Sequence, residues 1–195
     1  MISLERWIRW VLKPALSVVC LLPLCFIAWD AYTLNLGANP IEAITHRTGD
    51  WSLRLLLITL AVTPLRIVTG VKQLVRFRRM LGLYAFFYAA LHFAVYLVLD
   101  RELAWGTILG DIAERPYITV GFSAFALMIP LAVTSNRWMM RRLGRDWQRL
   151  HRLVYIIAVG GVLHYLWLVK ADIREPVIYA LVLISLLAVR AWKQR

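Results

Sequence analysis

Apolar residues gather into six long runs that short polar stretches separate. The runs lie at about 11–29, 51–69, 81–99, 116–133, 150–169 and 176–191. Each is close to the length of about 20 residues that an α-helix needs to cross about 30 Å of hydrocarbon. Pro14, Pro116 and Pro176 stand near the starts of three runs, where a helix tolerates the missing N–H. The pattern predicts an all-α, polytopic membrane protein, a six-transmembrane-helix bundle that forms one domain over 1–195.

The first run could also be a signal peptide, because basic residues precede it. It is longer than a typical signal core, and no small-x-small cleavage site stands before "WDAY" at 29–32. We therefore expect a retained span, which gives six crossings and places both termini on one side. The longest connections are expected at 30–50 and 100–115, and the first of these has a turn-rich composition.

Composition and charge agree with this class. With 61% hydrophobic residues and a mean hydropathy of +0.66, the chain is too apolar for a water-soluble protein of 195 residues. Seventeen of the 23 Lys and Arg lie in the N-terminal segment, 66–79, 137–152 and the C-terminal segment, whereas nine of the 11 acidic residues lie in the alternate loops. This positive-inside distribution predicts cytoplasmic termini. Membrane topology and contact with anionic lipid then explain the net charge of +12 better than binding of nucleic acid does. The alternative is that the basic loops bind a partner protein or a cofactor phosphate.

Three of the four histidines fall inside predicted spans: His92 in the third, and His151 and His164 in the fifth. An imidazole in hydrocarbon must find a partner, which can be a neighbouring helix or a bound group. His92 lies thirteen residues beyond Arg79 and His164 fifteen beyond Arg149, about 20 and 22 Å of helix from the same side. Two imidazoles at matched depth on different helices can fill both axial positions of a haem iron.

His151 has no histidine at its own depth, because the third span carries Arg78 and Arg79 there. It could ligate a second haem with an unusual partner, contribute to a flavin or quinone site, or cap the interface. The two arginines could bind a flavin phosphate or haem propionates, since guanidinium groups bind both in a forked geometry. An ideal helix places His151 and His164 about 140° apart, and the Gly160–Gly161 pair is a candidate for a bend or for close helix approach.

Other site chemistries fit less well. A zinc or iron ion without porphyrin needs three or four converging ligands, and a proton relay needs carboxylates that the spans lack. Cys20 and Cys25 are expected to be packing residues. Arg54 lies one turn into the second span. Its side chain either reaches the membrane–water interface or binds a propionate of the haem held by His92 and His164, which we call the outer haem. In the second case, Arg54→Leu should weaken the retention of this haem or shift its midpoint potential.

Three segments, "TPLRIVTG" (63–70), "RRMLGLYAFFYAALHFAVYLVLD" (78–100) and "RRLGRDWQRLHRLVYIIAVGGVLHYLW" (141–167), resemble the MsrQ family, formerly called YedZ. This family supplies the haem-binding membrane subunit of the bacterial MsrPQ methionine sulfoxide reductase system. It belongs to the ferric-reductase-like transmembrane group, which also includes the NADPH oxidases. The resemblance covers essentially the whole chain, and the single histidine of the third span distinguishes it from the oxidases, which carry two.

The resemblance implies electron transfer across the bacterial inner membrane through haem b to a periplasmic, molybdopterin-containing MsrP-type catalytic subunit. The family's ligand positions correspond to His92, His151 and His164. A bound FMN is also attributed to the family, although no flavin motif places it here. The chain shows no dinucleotide fingerprint, so electrons would come from membrane quinol or from a soluble, cytosolic flavin reductase. One alternative is a free-standing transmembrane ferric reductase. The other is a non-redox transporter with structural histidines, and an absorption spectrum would distinguish this transporter from both haem proteins.

Overall fold

Six helices in the computed structural model are long and apolar enough to cross a membrane. The model describes residues 4–169 and 172–193, so Lys170 and Arg195, two of the cations counted above, lie outside the described residues. The first to sixth spans are Leu4–Tyr32, Pro40–Thr69, Lys72–Asp100, Pro116–Val133, Arg145–Leu168 and Arg174–Trp192. Two shorter helices, Trp105–Glu114 and Arg137–Leu143, lie in the connections. The prediction of an all-α bundle of six apolar helices is confirmed.

The second span begins earlier than the pattern of apolar residues predicts. Residues 40–50, expected to form part of a turn-rich loop, are the first three turns of a helix that continues to Thr69. Asn39 caps this helix by accepting a hydrogen bond from the Glu42 backbone N–H at 3.3 Å, and Pro40 occupies the first helical position. Both are strong signals for a helix start, and they outweigh the polar composition of the first turns.

The second span is also the centre of the bundle. It packs against the first, third, fifth and sixth spans, and the fourth span packs against the third and fifth. Its buried residues lie on several faces and include Leu53, Leu56 and Leu60. A helix that is apolar on all sides is one that neighbours surround. Large apolar side chains on the other spans, such as Val18 and Phe26, are exposed, as expected of a surface that faces lipid.

A tyrosine hydroxyl joins the first and third spans. Tyr88 is fully buried, and its hydroxyl donates to the Cys20 carbonyl at 2.8 Å and accepts from the Leu24 N–H at 3.2 Å. These two backbone groups are four residues apart and would ordinarily bond to each other. Pro23 lies in the same turn. The hydroxyl is therefore inserted into the helical hydrogen-bond ladder, a recognised cause of helix bending.

A buried arginine joins the sixth span to the second and fifth. Arg190 donates to the Leu60 carbonyl at 2.8 Å and to the Tyr155 hydroxyl. Leu60 lies four residues before Pro64, which has no N–H to complete the helical bond to that carbonyl. Arg190 thus pairs with the backbone group that Pro64 leaves open. This contact explains how one cation is tolerated among apolar helices.

The two ends of the bundle differ in charge. The basic end carries the starts of the first and third spans and the connection at 134–144, and an ion pair of 2.7 Å between Arg76 and Glu5 joins the first and third spans. The acidic end carries the connections at 33–39 and 101–115 and the start of the sixth span. There, Arg47 pairs with Asp30 and Arg101 pairs with Asp111. Both ends of the described chain lie at the basic end.

Candidate functional site

A cavity opens between the second, third, fourth and fifth spans and extends to the acidic end. It encloses about 1360 Å³ of empty space, including its open mouth. Most of its wall is apolar and includes Leu53, Phe93, Phe125, Met128 and Ile157. A concave, mostly apolar cavity with a few convergent polar groups is the usual form of a cofactor site.

His92 and His164 face each other across this cavity. Their ring centroids are 6.1 Å apart, and the ring planes are inclined by 79°. The sequence placed these two histidines at the same depth, because each lies a similar number of residues from the basic loop that precedes its span. The structure brings them together. The third span contributes one ring and the fifth span the other, and both side chains line the cavity.

Each ring is held by a backbone carbonyl of a neighbouring span. His92 Nδ1 lies 2.8 Å from the Thr45 carbonyl oxygen, and His164 Nδ1 lies 2.7 Å from the Tyr117 carbonyl oxygen. Because a carbonyl only accepts, both Nδ1 atoms must carry the proton, which leaves a lone pair on each Nε2. A histidine that donates through one ring nitrogen and presents the other is the usual arrangement of a metal ligand.

The spacing of the two rings fits one metal ion between them. A metal–nitrogen bond of about 2 Å on each side and a ring radius of about 1 Å place two coordinated imidazole centroids about 6 Å apart. Among the described residues, no group of three or more His, Cys, Asp and Glu could hold a metal ion. Two axial nitrogens without further protein ligands suit an iron whose other four ligands come from a porphyrin.

Besides the two histidines, the cavity wall carries further polar residues, several of them near the acidic end. They are His46, Asp50, Asp100 and Arg101, together with Thr45, Ser52 and the tyrosines Tyr96, Tyr117 and Tyr165. None of His46, Asp50 and Arg101 was selected from the sequence as a site residue. His46 and Asp50 are four residues apart on one helix, a spacing that could have indicated a shared face.

Arg54 and Arg101, both near the acidic end, have different surroundings. Arg54 donates from Nε to the Tyr179 hydroxyl at 2.7 Å and lies over the Trp51 ring at 5.2 Å, and it is not part of the cavity wall. Arg101 is part of the wall and pairs with Asp111 at 2.7 Å. Burial lowers the pKa of Arg101, but the adjacent Tyr96 and the nearby carboxylates raise it more, so the pKa lies above its ordinary value. A contact between Arg54 and a propionate stays a prediction.

His151 lies at the basic end, apart from the facing pair. Its ring stacks on Trp147 with centroids 3.9 Å apart, its Nδ1 lies 3.1 Å from the Trp147 carbonyl, and its Nε2 lies 3.4 Å from the Ser135 hydroxyl. Both ring nitrogens therefore have protein partners. Arg78 is half-buried and Arg79 is exposed at the same end. Fourteen residues of helix, about 21 Å, separate Arg78 from His92, so the structure does not bring these arginines to the facing pair.

The glycine pair of the fifth span lies against neighbouring helices. The helix Leu153–Leu168 continues through Gly160 and Gly161, and the interruption lies at Arg152, directly after His151. A Cβ on Gly160 would stand 3.4 Å from Ala124 Cβ, and one on Gly161 would stand 3.4 Å from Leu53 Cδ1. Of the two roles that the sequence left open for this pair, the structure supports close approach of neighbouring helices.

Known proteins resemble the chain over nearly its whole length. Residues 48–162 match the family described as the ferric reductase like transmembrane component. The haem-binding subunit MsrQ of the protein-methionine-sulfoxide reductase of Xanthomonas campestris pv. campestris is 53% identical over 188 residues, 93% of this chain and 86% of the relative. The MsrQ subunit of Xanthomonas oryzae pv. oryzae is 53% identical over 190 residues, 94% and 87% of the two chains. That of Herminiimonas arsenicoxydans is 50% identical over 191 residues, 95% and 88%.

Proposed function

The chain belongs to the ferric-reductase-like transmembrane family and, within it, to the MsrQ subunits, and from that premise we propose that it is a haem b electron-transfer subunit. Its partner is a methionine sulfoxide reductase catalytic subunit, on which the chemistry of methionine repair takes place. The observation that carries this proposal is the pair of facing imidazoles, His92 and His164, in an apolar cavity.

The residues of the cavity suit a haem in three respects. The two Nε2 lone pairs would bind the haem iron, the carbonyls of Thr45 and Tyr117 fix the ring tautomers, and the aromatic and aliphatic wall would suit the macrocycle. A haem bound there would supply an iron that takes up and releases one electron at a time. The protein's part is to exclude water, hold both rings and set the charge at the mouth.

The charges of the two ends support one orientation in the bacterial inner membrane. We place the basic end, with both termini, in the cytoplasm, because Lys and Arg favour that side. The cavity mouth then faces the periplasm, where a molybdopterin-containing MsrP-type subunit would receive electrons. The donor, membrane quinol or a cytosolic flavin reductase, delivers electrons at the basic end.

The basic end holds the groups that we assign to electron input. His151, Arg78 and Arg79 lie there, and guanidinium groups bind phosphates and carboxylates in a forked geometry. A flavin such as FMN, a quinone or the propionates of a second haem would each find suitable charge at this end. His151 becomes a metal ligand only if its Nε2 releases the contact with Ser135.

The experiment is to purify the full chain in detergent and record its absorption spectrum in the oxidised and reduced states. We expect a Soret band and a low-spin spectrum with two axial nitrogens. His92→Ala and His164→Ala should each remove this spectrum. His46→Ala is the matched control, because His46 lines the same cavity but pairs with Glu42 at 3.7 Å and should leave the spectrum intact. A wild-type protein without a Soret band, or two ligand variants with normal haem content, would contradict the proposal.

A free-standing transmembrane ferric reductase is the second candidate, and the family match over 48–162 favours it. The two functions differ in where the electrons go. Reduced protein should be reoxidised quickly by the purified catalytic subunit if it is an electron-transfer partner. Fast reoxidation by a ferric chelate, with none by the catalytic subunit, would indicate the reductase.

A further inference from the structure

The two facing histidines are held by one local arrangement that occurs twice. In each copy, a helix of a neighbouring span presents a carbonyl at one position and a glycine four residues later. We propose that Gly49 and Gly121 are positioning residues that, with the Thr45 and Tyr117 carbonyls, fix the rotation of the His92 and His164 rings and so hold the axial ligands nearly perpendicular. This inference rests on the proposed binding of haem by these two histidines.

The first copy lies on the second span. Thr45 supplies the carbonyl that accepts from His92 Nδ1 at 2.8 Å, and Gly49 follows one turn later on the same helix face. A Cβ built on Gly49 would stand 3.1 Å from both Nδ1 and Cε1 of the His92 ring. The ring therefore lies against the bare backbone of the helix whose carbonyl it contacts.

The second copy lies on the fourth span and is tighter. Tyr117 supplies the carbonyl that accepts from His164 Nδ1 at 2.7 Å, and Gly121 follows four residues later. A Cβ on Gly121 would stand 2.6 Å from Nδ1, 2.8 Å from Cε1 and 3.0 Å from Cγ of the His164 ring. Carbon atoms do not approach ring atoms this closely, so any side chain at this position must displace the ring or the helix.

Neither glycine is required by its own backbone. The described glycines with positive φ are Gly37, Gly70 and Gly144, whereas Gly49 and Gly121 lie within helices and are not among them. Alanine is the better helix former at such positions, because glycine loses more conformational freedom on folding. The ring contact therefore accounts for the presence of glycine at both positions.

Other helical glycines show that this contact is specific. A Cβ on Gly82, in the third span, would stand 3.6 Å from Thr59 Cγ2, an ordinary contact. A Cβ on Gly106 or Gly110 would have no neighbour within 4 Å. Among the described glycines, only Gly49 and Gly121 would direct a Cβ at an imidazole.

The consequence is a fixed angle between the two ligand planes. A ring whose Nδ1–Cε1 edge lies against a helix and donates to its carbonyl cannot rotate without losing that hydrogen bond. The angle of 79° is therefore set by the second and fourth spans. In a low-spin ferric haem with two imidazoles, nearly perpendicular planes give a highly anisotropic electron paramagnetic resonance signal with one prominent low-field line. Parallel planes give a rhombic three-line signal.

The test uses the full chain with haem bound and the variants Gly121→Ala, Gly49→Ala and Gly82→Ala. The wild-type protein and Gly82→Ala should both show the highly anisotropic signal. Gly121→Ala should shift the low-field line or convert the signal to the rhombic type, and it should lower haem content. Gly49→Ala, with the milder contact, should cause a smaller change in the same direction and keeps the test valid if Gly121→Ala does not fold.

A second measurement does not require haem. In the haem-free protein labelled with ¹⁵N-histidine, nuclear magnetic resonance should report the Nδ1–H tautomer for His92 and His164, and Gly121→Ala should disturb that of His164. If Gly49→Ala and Gly121→Ala both bound haem and showed the wild-type electron paramagnetic resonance signal, the inference would be overturned while haem binding stayed intact. A wild-type protein that binds no haem would instead overturn the proposed function.

Discussion

At the scale of single residues, two arginines compete for one role at the acidic end. Arg54 was selected from the sequence because a cation inside a span needs a partner, and in the structure it has one in Tyr179. Arg101 lies in the cavity wall with a charge that its neighbours stabilise. Both remain candidates to contact a haem propionate, and the position of Arg101 favours it.

Substitution by leucine separates these two residues. We predict that Arg101→Leu lowers the midpoint potential of the haem, because a nearby positive charge stabilises the state with the extra electron. For charges about 10 Å apart at an effective dielectric constant of about 20, the effect is about 1–2 kcal/mol, or tens of millivolts. Arg54→Leu should shift the potential less. Redox titration of both variants decides the assignment, and a larger shift in Arg54→Leu would restore the sequence-based expectation.

At the scale of helices, hydrogen bonds from side chains to the backbone connect spans that pack mainly through apolar residues. Tyr88 joins the third span to the first through two backbone groups, and Arg190 joins the sixth to the second through the carbonyl that Pro64 leaves open. Both contacts lie next to a proline within a span. Pro64 frees the Leu60 carbonyl, and in an apolar environment that group requires another partner. Tyr88 instead contacts two groups that Pro23 does not free.

Removal of the Tyr88 hydroxyl tests this connection. Tyr88→Phe removes the hydroxyl that joins the third span to the Cys20 carbonyl and the Leu24 N–H, which can then bond only to each other, and we predict a loss of about 0.5–1.5 kcal/mol in stability. Thermal unfolding in detergent, followed by circular dichroism, measures the effect. Tyr84→Phe is the control, because Tyr84 makes no side-chain hydrogen bond to the described residues. Equal losses in the two variants would show that the hydroxyl bridge does not stabilise the bundle.

At the scale of the whole molecule, the two histidines of the fifth span serve opposite ends. His164 lies in the cavity that reaches the acidic end, and His151 lies thirteen residues earlier at the basic end, about 20 Å away along the helix. The separation suits a protein that receives electrons at one membrane face and releases them at the other.

Substitution of His151 tests this division into two ends. We predict that His151→Ala slows reduction by the physiological donor severalfold and leaves the spectrum of the His92–His164 haem largely unchanged, because its ring contacts Trp147 and Ser135 and not the cavity. Stopped-flow reduction with quinol or with a flavin reductase measures the rate, and the absorption spectrum provides the control. Loss of all haem from a folded, membrane-inserted His151→Ala protein would refute the division.

The sequence by itself determined the features that depend on position along the chain. Hydropathy and length define six spans because hydrocarbon thickness sets a fixed number of residues. The same arithmetic matched His92 with His164, since depth in a membrane is proportional to residue count along a helix. The early start of the second span was also encoded, in Asn39 and Pro40, although its polar first turns concealed it.

Only the tertiary structure decided what depends on the rotation of each helix about its axis and on its neighbours. The facing of the two rings, the partner of Arg54 and the place of Arg101 in the cavity wall are of this kind. So is the contact of Gly121 with His164, between residues 43 positions apart on different spans. Helices in lipid have apolar residues on nearly every side, so hydrophobic periodicity does not indicate which face turns inward. Packing between helices supplies that information.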